Sequence, residues 1–295
     1  MRLIFIHGMS QQEHQAHSLK QHWRDIFQQG LQHSQSRYHA EDFEIEMAFY
    51  GDLITHYQSQ RALALAEVQK KLPQPLVKLW QRANLANYYT RSAATTQIPL
   101  LPIYRPQQKA SLKHQLWWRS LRFKDEIYKD LMIRLNRHPQ LHLKVLQHFL
   151  TESYLYLCND HFMQAVHQRL QQRFAHSSEP AIVVAHSLGT VIAYNFLRAN
   201  PQFAVQRLIT LASPLPYQAM KKSFKQRVAR PTSLLGDWYN FCADEDFFAT
   251  QPLDRAPFNF QPQIINQTIH TFVDKPHEII GYLQHPQVIR AITLE

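Results

Sequence analysis

Ala181–Phe196 reads AIVVAHSLGTVIAYNF. Five apolar or small residues run into a histidine, a serine and a glycine, and the pattern then changes to helical spacing. A continuous apolar run of this length is a strand buried on both faces. The serine stands at the point where strand turns into helix. Such a turn is tight, so the residues two before and two after the serine must be small, and here they are Ala185 and Gly189. The turn strains the serine backbone and lifts its hydroxyl clear of the sheet. The helix below it presents unpaired N–H groups and a partial positive charge, which suit an oxyanion formed on an attacked carbonyl. The competing reading of Ser187 is a helix N-cap. The strand before it and the helix after it favour a nucleophile.

The same alternation extends along the chain. Strands are expected at Arg2–Ile6, Phe43–Phe49, Ala181–Ala185, Arg207–Ala212, Trp238–Cys242 and Thr268–Val273. Helical patterns lie between them at Gln15–Gln29, Asp160–Phe174, Thr190–Arg198 and Glu278–Leu283, with a short helix after Pro286. Phe43–Phe49 alternates as an edge strand does. This order predicts an α/β fold, a mainly parallel six-stranded sheet with helices on both faces.

The rhythm breaks once. Residues 55–154 are helical in pattern but hold no strand, and Pro99, Pro102 and Pro106 mark a loop inside them. A stretch this long is no ordinary connection. It is read as a helical cap inserted into a core made of residues 1–54 and 155–295.

Composition narrows the classes. The 295 residues are 45% hydrophobic and 18% charged, which is globular rather than disordered. The two cysteines, Cys158 and Cys242, form no CxxC pair, so a zinc ribbon or disulfide scaffold is not indicated. The opening MRLIFI is too short an apolar run for a signal peptide, and no run reaches the ~18 residues of a membrane span. A soluble cytoplasmic protein is expected. The net charge of +10 is uneven, because Arg61–Leu150 holds sixteen Lys or Arg against four Asp or Glu. The densest part, Leu116–Lys124 (LWWRSLRFK), mixes cations with aromatics. The first reading is a cap with its aromatics packed inward and its charges solvated. The second is contact with an anionic membrane surface or an acyl chain. Nucleic acid is ranked last.

LIFIHGMS, AHSLGT and WYNFCADEDFF together resemble the α/β-hydrolase superfamily, in particular bacterial serine esterases and lipases. AFYGDL and YLYLCND look like the same group. The likeness covers about residues 1–52 and 154–283, and the basic stretch matches nothing in it. It implies a Ser-His-Asp triad acting through an acyl-enzyme on a small-molecule or lipid ester, with no cofactor and no metal. The His7-Gly8 pair implies that the Met9 N–H, with that of Leu188, forms the oxyanion hole. The superfamily order of nucleophile, acid and histidine directs attention to the loop after Trp238–Cys242. Asp246 is chosen there, with Asp244 as the alternative. The histidine should follow the last strand. His277 is chosen over His270, read as mid-strand, and over His285, read as a surface residue. His186 is expected to face away from the reacting side. A rival reading keeps the fold but makes the protein an inactive binding module, using its basic cap to hold lipid or another acidic partner.

Overall fold

A computed structural model describes residues 1–11, 13–57, 152–153, 155–157, 159–217, 224, 227–246, 248–249, 251–272 and 275–294. The expected cap, with its basic and aromatic stretch, therefore lies outside the described residues except for 55–57 and 152–153.

Among the described residues, six strands form one sheet in the order β2-β1-β3-β4-β5-β6, and every pairing is parallel. They are β1 (Arg2–Ile6), β2 (Glu44–Ala48), β3 (Ala181–His186), β4 (Val205–Leu211), β5 (Trp238–Ala243) and β6 (Ile265–Ile269). Alternate residues of the central strands feed two cores. Ile4, Ile6, Val183, Ala185 and Leu208 pack with α3 (Asp160–Phe174) and α4 (Leu188–Ala199) on one face. Leu3, Phe5, Ile182, Val184 and Ile209 pack with α1 (Ala16–His33), α5 (Ile279–Leu283) and α6 (Pro286–Thr293) on the other. A short helix, α2 (Gly51–His56), follows β2. Two buried faces explain why β1 and β3 read as unbroken apolar runs.

β2 lies at the sheet edge, as its alternation suggested, yet Glu46 on it is buried. Arg2 explains this. Its guanidinium bonds Glu46 at 3.1 and 3.3 Å and also reaches the carbonyls of Arg173, Phe174 and Ser177 at the end of α3. One buried cation thus neutralises the carboxylate and closes a helix C-terminus.

The last strand differs from expectation. β6 covers Ile265–Ile269 rather than Thr268–Val273, so His270 lies beyond it. The strand is partly exposed and polar, and its position comes from pairing Tyr239–Ala243 with Ile265–Ile269 and from Asn266. Asn266 accepts hydrogen bonds from Asn240 (2.9 Å) and the Leu253 N–H (2.7 Å). The more apolar TIHTFV had drawn the reading downstream.

From β1 the chain moves outward to β2, then returns to the other side of β1 and proceeds through β3 to β6. The reversal lies between β1 and β3. In open parallel sheets the crevice beyond the carboxyl ends at such a point is where ligands bind. Here it is bounded by the loops that follow Ile6 and His186.

Candidate active site

Ser187 follows β3 directly and has φ 53° and ψ −126°. A side chain other than glycine rarely adopts this region, and the strain costs about 1–3 kcal/mol. Ser187 occupies the N-cap position of α4, yet its side chain makes no capping bond. Its hydroxyl meets His277 instead, with Oγ 2.8 Å from Nε2. Two neighbours brace the turn. The Thr190 hydroxyl donates to the Ser187 carbonyl at 2.7 Å and lies 2.9 Å from the Ser213 hydroxyl. The Leu215 N–H in turn donates to Ser213. Gly189 is needed for packing: a Cβ there would lie 2.5 Å from the Ile6 carbonyl and closer still to that of His7.

His277 comes from the segment between β6 and α5, and Asp246 from the loop after β5. The ring nitrogen Nδ1 lies 2.8 and 2.9 Å from the two oxygens of Asp246. Asp246 is fully buried, whereas the His277 side chain is 17% exposed. The carboxylate also accepts the Phe248 N–H at 2.9 Å on Oδ1 and the Tyr282 hydroxyl at 2.7 Å on Oδ2. Burial alone pushes the Asp246 pKa up. The His277 charge and the hydrogen bonds from His277, Tyr282 and Phe248 outweigh it and hold the carboxyl below its ordinary value. An ionised Asp246 keeps the proton of neutral His277 on Nδ1 and leaves Nε2 as an acceptor for the serine hydroxyl.

The β1 loop lies against this row. A Cβ on Gly8 would sit 2.9 Å from the Ser187 Cβ, so only glycine permits the approach. His7 and Tyr50 clamp the loop from the other side. The Tyr50 N–H donates to His7 Nε2 (3.1 Å), which puts the ring proton on Nδ1, and Nδ1–H donates to the Gly8 carbonyl (2.8 Å). The Tyr50 hydroxyl donates to the carbonyls of His7 (2.6 Å) and Gly8 (3.2 Å), and the two rings stack with centroids 3.9 Å apart. The peptide after Gly8 is trans, so its N–H, on Met9, points opposite to the clamped carbonyl. Among the described residues, neither the Met9 nor the Leu188 N–H donates a hydrogen bond. The next amide, that of Ser10, donates to the buried Glu152 carboxylate at 3.1 and 3.3 Å. Burial lowers the His7 pKa to about 4, so the clamp is neutral.

The other candidates lie elsewhere. Asp244 is exposed. His270 pairs with Glu245 at 2.8 Å. His285 is half-buried rather than a surface residue, and its Nδ1 accepts the Gln287 N–H as the N-cap of α6. His186 lies on the α1 and α5 side of the sheet but stays close to the row. Its ring centroid is 5.1 Å from that of His277, and among the described residues its buried Nε2 has no hydrogen-bond partner. Tyr50, Glu152, Thr190, Ser213 and Tyr282 were not singled out from sequence. Of these, Tyr50 and Thr190 carried a signal, standing within AFYGDL and AHSLGT. Among the described residues, no group of three His, Cys, Asp or Glu could hold a metal ion, and no helix is long and apolar enough to cross a membrane. No protein-family model, curated protein or solved structure matches this chain.

Proposed function

We propose that this protein is a serine hydrolase of the α/β-hydrolase type that cleaves carboxylic esters through an acyl-enzyme. The observation that carries the reading is the row Ser187 Oγ–His277 Nε2, His277 Nδ1–Asp246, each link 2.8–2.9 Å long. Its three members come from the carboxyl ends of three different strands. His277 takes the Ser187 proton on Nε2 as Oγ attacks the ester carbonyl carbon. Charge moves to the carbonyl oxygen, where the Met9 and Leu188 N–H groups are available to receive it. Asp246 orients the ring and stabilises the imidazolium. The C–O bond then breaks, and His277 passes its proton to the leaving alkoxide to release the alcohol. Water enters, gives a proton to His277 and attacks the acyl carbon. The carboxylic acid departs as that proton returns to Ser187 Oγ. The strained backbone at Ser187 supports this reading over a helix cap.

The test is hydrolysis of a p-nitrophenyl ester series, acetate to palmitate, by the full chain. Turnover is expected with at least one chain length. Asp246→Asn should lower kcat by about 10⁴-fold. A folded wild-type chain inert to the whole series would contradict the proposal. The binding-module reading rests on the basic stretch outside the described residues, and no described feature favours it.

A further inference from the structure

The acid of this site has a partner that the proposed chemistry does not use. Three donors among the described residues hold Asp246. Phe248 N–H takes Oδ1, the Tyr282 hydroxyl takes Oδ2, and His277 Nδ1–H lies between the two oxygens. Donors on both oxygens hold the carboxylate in one orientation, with the imidazole N–H centred on both atoms. Phe248 belongs to the same short loop as Asp246, so its amide comes with the turn. Tyr282 comes from α5, the helix that begins just after His277, and its ring is completely buried. A buried phenol normally finds a hydrogen-bond partner, and this one ties the helix to the acid.

We infer that Tyr282 is a positioning residue of the proposed hydrolase: its hydroxyl shares the charge of Asp246 and thereby sets the basicity of His277. This rests on the serine-hydrolase reading for its catalytic meaning but not for its test. A hydroxyl donor draws charge from the carboxylate. Without it, more of the charge acts on His277 Nδ1–H, and the imidazolium is stabilised. The His277 pKa should therefore rise when the hydroxyl is removed, and the acid limb of any activity should move to higher pH.

The other ionisable groups around this cluster are identifiable. His186, the last residue of β3, flanks both His277 and Tyr282. Burial first, then the His277 charge, lowers its pKa to about 3, so it stays neutral through the relevant range. Cys242 and Glu245, from β5 and its loop, act electrostatically on Tyr282, and Glu245 is paired with His270. His7, in the β1 loop, acts on His186. Glu278 pairs with Lys275 at 3.3 Å and influences His22 on α1.

The experiment compares the wild-type chain with Tyr282→Phe, which keeps the ring and removes only the hydroxyl. If that variant does not fold, 3-fluorotyrosine at position 282 serves: it keeps the ring, donates more strongly, and should move the His277 titration down instead. The His277 titration is followed by NMR of ¹⁵N-labelled histidine, and labelling of Ser187 by a fluorophosphonate is followed against pH. The expected result is a His277 titration moved up by about half a pH unit or more. On the acid limb, labelling should be about 3-fold slower or more, with the limb moved in the same direction. A folded variant with an unchanged His277 titration would overturn the inference. A wild-type chain in which His277 titrates but Ser187 never labels would overturn the hydrolase reading instead. A purely structural Tyr282 would lower the Tm and leave the titration in place.

Discussion

The central residue-scale feature is a serine whose backbone is strained and whose hydroxyl is reserved. Ser187 has positive φ, forgoes the capping bond that its position offers, and turns to His277. Local strain of this kind persists only where surrounding contacts over-determine it. Here Thr190 and Ser213 brace one side, and Gly8 closes the other. The His7–Tyr50 clamp fixes the peptide that carries the Met9 amide, as Asp246 fixes the His277 ring, and in the proposed reaction that amide is an oxyanion donor. Tyr50→Phe removes the hydroxyl while keeping the stacked ring, so the loop loosens without collapsing. We expect kcat to fall about 10-fold with KM little changed, because a displaced oxyanion donor weakens the transition state more than the ground state. Steady-state kinetics on the best ester check this, and an unchanged kcat in the folded variant would remove the clamp from the account.

Among elements, the β3–α4 unit does most to place the site, and it was the most legible in the sequence. The apolar run, the small residues at 185 and 189, and the helical spacing afterwards each had one physical reading. The first turn of α4 packs directly on the end of β1. Gly189→Ala should therefore destabilise the fold by about 1–3 kcal/mol, since backbone carbonyls of Ile6 and His7 cannot move aside as a flexible side chain would. Chemical denaturation reads this as a lower midpoint with an unchanged slope, and a wild-type midpoint would contradict the packing. Asp246 and His277 were reached by resemblance, and the fold brings both side chains within hydrogen-bond distance in one row with Ser187. β6 was misplaced because a polar, partly exposed strand carries little hydrophobic signal, and its register is fixed by Asn266 and by β5. Tyr282 and Glu152 escaped notice for a different reason. A buried polar side chain looks like any other polar residue until its partner, far away in the chain, is known.

At the scale of the whole molecule, acid is the condition to which this fold should be most sensitive. His7, His167, His186 and His285 are held neutral by burial, with pKa values lowered from 6.5 to about 4, 4, 3 and 4. The unfolded chain takes up these protons near pH 6.5, whereas the folded chain resists until about pH 4. Stability is therefore complete above about pH 6.5 and is lost as pH falls through that window. His7 alone contributes on the order of 3 kcal/mol across it. Asp246, with its lowered pKa, adds a further loss below the ordinary carboxylate range. Urea midpoints at pH 8, 6, 5 and 4.5 should fall steadily below pH 6.5, and a flat series would contradict neutral burial of these rings. The central claim, an activated Ser187, is tested most directly by treating the full chain with a fluorophosphonate and mapping the adduct by mass spectrometry. We expect one adduct, on Ser187, absent in Ser187→Ala and formed at least about 100-fold more slowly in His277→Ala. A folded protein that stays unlabelled, or that labels at another residue, would contradict it.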